Sequence, residues 1–173
     1  MNIWHGHTGL DFPPDVAGRS WKVAVQMLDS RLPRIMRTTE RFLQDVTPEQ
    51  TGLMKKMVRS WDPRIAANGG WRFAYGWKKT EWPGRVFYPL FVLGGTGLYG
   101  PRHKPIRPIQ APFLVWRDTE GEVYVRSEVA GQHPQDLFAA CAGNVDELMT
   151  KEMNLAMMAG FRSIKNTTCV IKG

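Results

Sequence analysis

Gly95-Thr96-Gly97-Leu98-Tyr99-Gly100 has the GxGxxG spacing of a dinucleotide-binding loop and follows the apolar run at residues 86–93. In a nucleotide site those glycines open straight into a helix whose N-terminal amides hold the pyrophosphate. Here Pro101, Pro105 and Pro108 come next and forbid a regular helix, and there is no GKS or GKT, so no cofactor is expected. His5 and His7 could both point one way in an extended segment and bind a metal. A metal site needs more donors, and Asp11 is the nearest carboxylate. His103 and His133 stand alone in loops, Glu120/Glu122 in a turn and Asp146/Glu147 on a polar helix face. No base, nucleophile and orienting group come together, so a non-enzymatic protein is expected. Cys141 and Cys169 lack CxxC spacing and are too few for a secreted disulfide framework, which suits reduced thiols in a cytosolic setting.

The glycines from Gly94 onward give backbone angles closed to other residues, and the prolines stiffen the rest of the segment into an extended arm. That arm, residues 94–108, carries Arg102, His103, Lys104 and Arg107 without an acid. It could reach DNA phosphates or an acidic neighbouring subunit. With Gly94, Gly95, Thr96, Gly97 and Tyr99, the bases Arg102, Lys104 and Arg107 make up a candidate assembly loop.

Charge extends the idea beyond the loop. The chain of 173 residues is net +7, but residues 52–117 hold twelve Lys or Arg against Asp62 and Glu81, a net of +10. Residues 118–152 hold eight acids against Arg126 and Lys151, a net of −6. Such a split could seat copies head to tail, basic face on acidic face, or could leave both faces in water. Lys55, Lys56, Arg59, Lys78 and Lys79 are the candidate DNA-facing or inter-subunit cations; Glu120, Glu122, Asp146 and Glu147 are the candidate acidic partner surface.

Periodicity supplies the helices and strands that carry these residues. A helix is expected over about residues 16–45, with Asp15 as cap and Trp21, Val25, Leu28, Leu32, Ile35, Phe42 and Leu43 near helical spacing. Pro33 should kink it or divide it into two helices. Thr47-Pro48-Glu49-Gln50 reads as the start of a short helix through Val58. Residues 71–77 alternate aromatic with small or polar side chains, the pattern of a strand burying one face. The run 86–93 contains Pro89, which implies a strand edge, a bulge or a change to helix. Residues 113–117 and 122–129 form a hairpin about Thr119-Glu120-Gly121, with Val123, Val125, Leu114 and Trp116 directed to the core. From Pro134 a long helix is expected, striped by Leu137, Cys141, Val145, Leu148, Glu152, Leu155, Ala159 and Arg162 and lying on the sheet. Its Met149, Met153, Met157 and Met158 are adaptable apolar surface.

The result is an α+β fold: an antiparallel sheet of about four strands packed by a long C-terminal helix, with N-terminal helices. Residues 1–15 read as a leader, 16–164 as one domain and 165–173 as a tail. Nowhere do about 18 apolar residues run together, so no membrane partner is expected.

Three segments, in order, resemble the tail-completion or neck (head-tail joining) protein family of long-tailed bacteriophages. They are Thr47-Pro48-Glu49-Gln50-Thr51-Gly52-Leu53; Tyr88-Pro89-Leu90-Phe91-Val92-Leu93-Gly94-Gly95-Thr96-Gly97; and Ile106-Arg107-Pro108 through the hairpin to Val129-Ala130-Gly131-Gln132-His133-Pro134 and Phe138. Where the family usually has a Glu before the Gly-Thr turn, this chain has Gly94. The resemblance implies a structural virion protein, assembled in the host cytoplasm, that forms a ring, hexameric in the family's manner. Its partners would be copies of itself, a head-side connector or stopper, the tail tube or terminator, and DNA passing non-specifically through the lumen. A tail terminator capping the tube is the alternative in the same class, and a basic nucleic-acid-binding protein the alternative in another.

Overall fold

The computed structural model describes residues 6–10, 18–49, 52–65, 71–118 and 120–165. Two 29-residue helices dominate it, α1 (Gly18–Val46) and α4 (Leu137–Lys165). They run antiparallel: Arg31 pairs with Glu152 near their middles, Ala24 and Leu28 meet Ala156 on one side of that pair, and Ile35 and Leu43 meet Leu137, Cys141 and Val145 on the other. Ala24 and Ala156 have no side chain beyond Cβ, which lets the two backbones approach where they meet. Glu152 occupies a core position of the α4 stripe at 4 % exposure, and its charge is answered there by Arg31.

α1 runs as one continuous helix through Pro33, not as the two helices that were one of the outcomes Pro33 implied. Asp29 and Pro33 both lie on the exposed face, so water can take the Asp29 carbonyl that the missing proline amide leaves. The proposed cap Asp15 lies outside the described residues. Thr47 does not open the next helix either. It is buried, its hydroxyl donates to the Leu43 carbonyl at 2.5 Å, and so it closes α1. The short helix α2 is confined to Leu53–Lys56, behind Gly52 at φ 65°.

β1 (Gly6–Leu10), β2 (Arg59–Ile65) and β3 (Trp71–Gly76) form an antiparallel sheet in the order β1-β3-β2. Part of the expected leader is therefore a strand, His7 standing opposite Ala74, while His5 lies outside the described residues. β3 is central, and Phe73, Ala74, Tyr75, Gly76 and Trp77 are all buried, so this strand buries both faces rather than one. Tyr75 and Trp77 each meet the Phe138 ring edge-on, at 5.7 and 6.0 Å, which docks the sheet on the start of α4. Burial, and then its neighbour Cys141, push the Tyr75 phenol up to about 12. β2 is irregular between Trp61 and Arg64, where Asp62 takes φ 52° and Pro63 withholds a donor, a blunted sheet edge.

The run 86–93 resolves as a change to helix: α3 (Pro89–Gly94) has Pro89 at its first turn, where no amide is needed. β4 (Leu114–Arg117) and β5 (Val123–Arg126) make the expected hairpin, but as a separate two-stranded ribbon. Among the described residues there is accordingly no four-stranded sheet. α4 lies chiefly along α1 rather than on a sheet; its buried positions include Leu137, Cys141, Val145, Met149, Glu152 and Ala156. Met153 and Met157 pack toward α1, and Met158 is exposed. The expected tail lies outside the described residues after Lys165.

Candidate functional site

The GxGxxG segment serves a backbone crossing. Gly95, Gly97 and Gly131 have φ of 72°, 63° and 101°. A Cβ on Gly97 would stand 2.1 Å from the Ala130 carbonyl oxygen, and one on Gly131 2.2 Å from that of Thr96. Only glycine allows both the conformation and the approach. Across the contact, the Thr96 amide donates to Gln132 O at 2.8 Å, the Leu98 amide to Ala130 O at 2.7 Å and the Gln132 amide to Thr96 Oγ1 at 2.8 Å. Tyr99 then stacks on His133 with ring centres 3.4 Å apart.

Farther along, Ile106 and Val129 exchange two backbone hydrogen bonds, each amide donating to the other's carbonyl, at 2.9 and 3.0 Å. Arg107 grips Glu128 through Nε and Nη2, at 2.9 and 2.8 Å. The expected extended arm is therefore pinned to residues 128–133 at both ends. Of its cations, Arg107 is engaged within the chain, while Arg102 and Lys104 are exposed beside His103, whose Nδ1 lies 3.2 Å from the Leu98 carbonyl oxygen. Gly131, Gln132 and Glu128 are the partners that the sequence reading missed. A second glycine-bearing stretch in the chain, Gly131 beside Ala130, was the signal that two backbones meet.

Between these pins the ribbon stands apart. Register places Val115 opposite Val125 on one face, and Leu114 opposite Arg126 and Trp116 opposite Tyr124 on the other. Val115 is 64 % exposed, Val123 55 % and Val125 47 %, and Trp116, stacked on Tyr124 at 5.5 Å, is 41 % exposed. The expected core role of these residues is thus corrected: β4 and β5 pack on each other and hardly on any other helix or strand. The signal lay in Leu114-Val115-Trp116, where consecutive apolar residues leave neither face polar.

At the turn of the ribbon the acids Asp118 and Glu122 are held by hydrogen bonds. Asp118 Oδ1 accepts from the amides of Glu120 and Glu122, both at 2.9 Å, and the Tyr124 hydroxyl donates to Asp118 Oδ2 at 3.1 Å and to Glu122 Oε2 at 3.0 Å. Loss of water alone would raise the Asp118 carboxyl. The amide of Glu122, the Tyr124 hydroxyl and the amides of Glu120 and Gly121 together outweigh that and hold it below its ordinary value. Asp146 and Glu147 are exposed on α4 beside Lys151 and Asn154.

The five candidate cations, by contrast, do converge. Pairing of Arg59 with Gly76 brings the end of α2 and the exit from β3 to one end of the sheet, and Trp77 Nε1 donates to Met54 O at 2.8 Å, tying the two. Lys55 pairs there with Glu49 at 3.3 Å and Lys78 with Glu81 at 3.0 Å, Lys78 also standing 5.2 Å over the Trp61 ring. Arg59 donates to the Lys56 and Val58 carbonyls at 2.7 Å. Lys56 and Lys79 are exposed and make no ion pair among the described residues.

Among the described residues no group of His, Cys, Asp or Glu is placed to hold a metal, and no helix is long and apolar enough to cross a membrane. Compared with protein-family models, with curated proteins and with solved structures, the chain matches none.

Proposed function

We propose that this chain is a structural subunit of the neck of a long-tailed bacteriophage, one copy in a ring that completes the tail and joins it to the head around the DNA passage. The observation that carries the reading is the crossing of residues 95–98 with 130–132. It interlocks two of the three segments that resemble the neck family, so those segments act as one structural unit rather than as separate short similarities. The unlike surfaces of the chain support a ring: a basic sheet end and an apolar ribbon with an acidic turn are what head-to-tail packing requires. Exposed Arg102 and Lys104 suit either DNA phosphates or a neighbouring ring. A tail terminator would use the same surfaces and is the nearest variant of the reading.

Electron microscopy of lysates from a phage lacking this gene tests it. Filled heads and separate tails are expected, and supplying the full chain should restore joined particles. Normal tailed particles without the chain would overturn the proposal.

A further inference from the structure

The ribbon raises a physical question that its own chain does not answer. A two-stranded hairpin is marginal by itself in water, and this one leaves Val115, Val123, Val125 and Trp116 exposed on its two faces. Its turn concentrates Asp118, Glu120 and Glu122, none of which forms an ion pair among the described residues. Lys56 and Lys79 at the basic sheet end are in the same condition. Two complementary sets that do not pair within one chain are placed to pair between chains.

The basic end also offers an apolar surface. Trp82 directly follows the turn at Lys79–Glu81 and packs edge-on against Phe87 at 5.4 Å, which ties that end to the entry of α3. There Tyr88 and Phe91 are exposed and lie edge-on to each other at 6.5 Å. Through the Trp82–Phe87 contact the basic end is linked to exposed apolar surface, as the acidic turn is linked to the apolar strands of the ribbon.

We infer that the occupant of the basic end is the β4–β5 ribbon of a second copy of this chain: Glu120 and Glu122 meet Lys56 and Lys79, and the apolar strands lie toward Tyr88 and Phe91. The surfaces are unlike, so the contact is heterologous; it closes into a ring where the rotation allows and otherwise propagates. This names the subunit contact of the proposed neck ring and rests on that reading only for the ring's place in the virion.

Sedimentation velocity on the full chain between about 1 and 100 μM decides it. Glu120→Lys/Glu122→Lys and Lys56→Glu/Lys79→Glu should each weaken self-association at least about tenfold, because like charges then face each other. An equal mixture of the two variants should recover assembly, since each supplies the sign the other has lost. Circular dichroism and the single Glu120→Lys exchange guard against a misfolded turn. Wild-type monomer across the range, unchanged assembly of both variants, or a Lys56→Glu/Lys79→Glu variant that loses only DNA binding would each overturn the inference. Phage complementation separates this from the function. A monomeric variant that still yields joined particles removes the contact and leaves the neck role, whereas a chain that self-assembles but never restores joining removes the neck role and leaves the contact.

Discussion

Phe73 in β3 and Val115 in β4 both sit on short antiparallel strands, yet Phe73 is 1 % exposed and Val115 64 %. The first strand is covered by α1, α2 and the start of α4, and every residue from 73 to 77 is buried. The second has only its hairpin partner. Strand formation needs no more than a backbone partner, whereas burial needs a layer above, and this chain supplies that layer to one sheet and not to the other. The three-stranded sheet belongs to the monomer's stability, and the ribbon adds little burial to it.

Truncation of both residues separates the two strands most widely. Phe73→Ala should cost about 3–5 kcal/mol in urea denaturation, and Val115→Ala less than about 0.5 kcal/mol in the monomer. Comparable losses would mean that the ribbon is part of the core after all. A middling effect is expected at the crossing between the two regions. Gly97→Ala forces a Cβ against the Ala130 carbonyl at a φ of 63°, and should destabilise by about 1–3 kcal/mol. Gly94→Ala, where nothing lies within 4 Å, should be neutral or slightly stabilising. Hydrogen exchange should show the Thr96, Leu98 and Gln132 amides opening in Gly97→Ala while the α1 and α4 amides stay protected.

The smallest effect is acidic. Because folding lowers the Asp118 carboxyl below its ordinary value, the turn's stabilisation is complete above the unfolded value of about 4 and is lost as the pH falls through the folded one. Amide signals of Glu120 and Glu122 should therefore shift at the low end of the carboxylate range while Phe73 and Leu43 remain in place. Asp118→Asn should flatten that transition. A titration of the turn amides at ordinary carboxylate pH would remove the assigned hydrogen bonds.

Periodicity made the long elements legible. The three- and four-residue spacing from Leu137 to Glu152 located α4, and the aromatic alternation of residues 71–77 located β3. Less visible was what covers what. Glu152 reads as a break in an apolar stripe until Arg31, 121 residues away, is placed beside it. Pro33 reads as a possible end of a helix until it falls on the wet face, where the helix runs on through it. The glycines at 95 and 97 mark strained backbone in sequence, but their reason lies in residues 130–132, and such pairings cannot be found from local spacing. Likewise the convergence of Lys55, Lys56, Arg59, Lys78 and Lys79 is a product of strand register.

The crossing also bears on how this chain could change over time. The Leu98 amide donates a hydrogen bond to the Ala130 carbonyl, so the stretch between them begins and ends at nearly the same point in space. Its excision in favour of a tight turn would leave α3 and α4 where they stand, and its lengthening would add little closure entropy. The ribbon is in this sense a cassette: its length and tip can be exchanged to suit a different neighbour without redesign of the body that carries it.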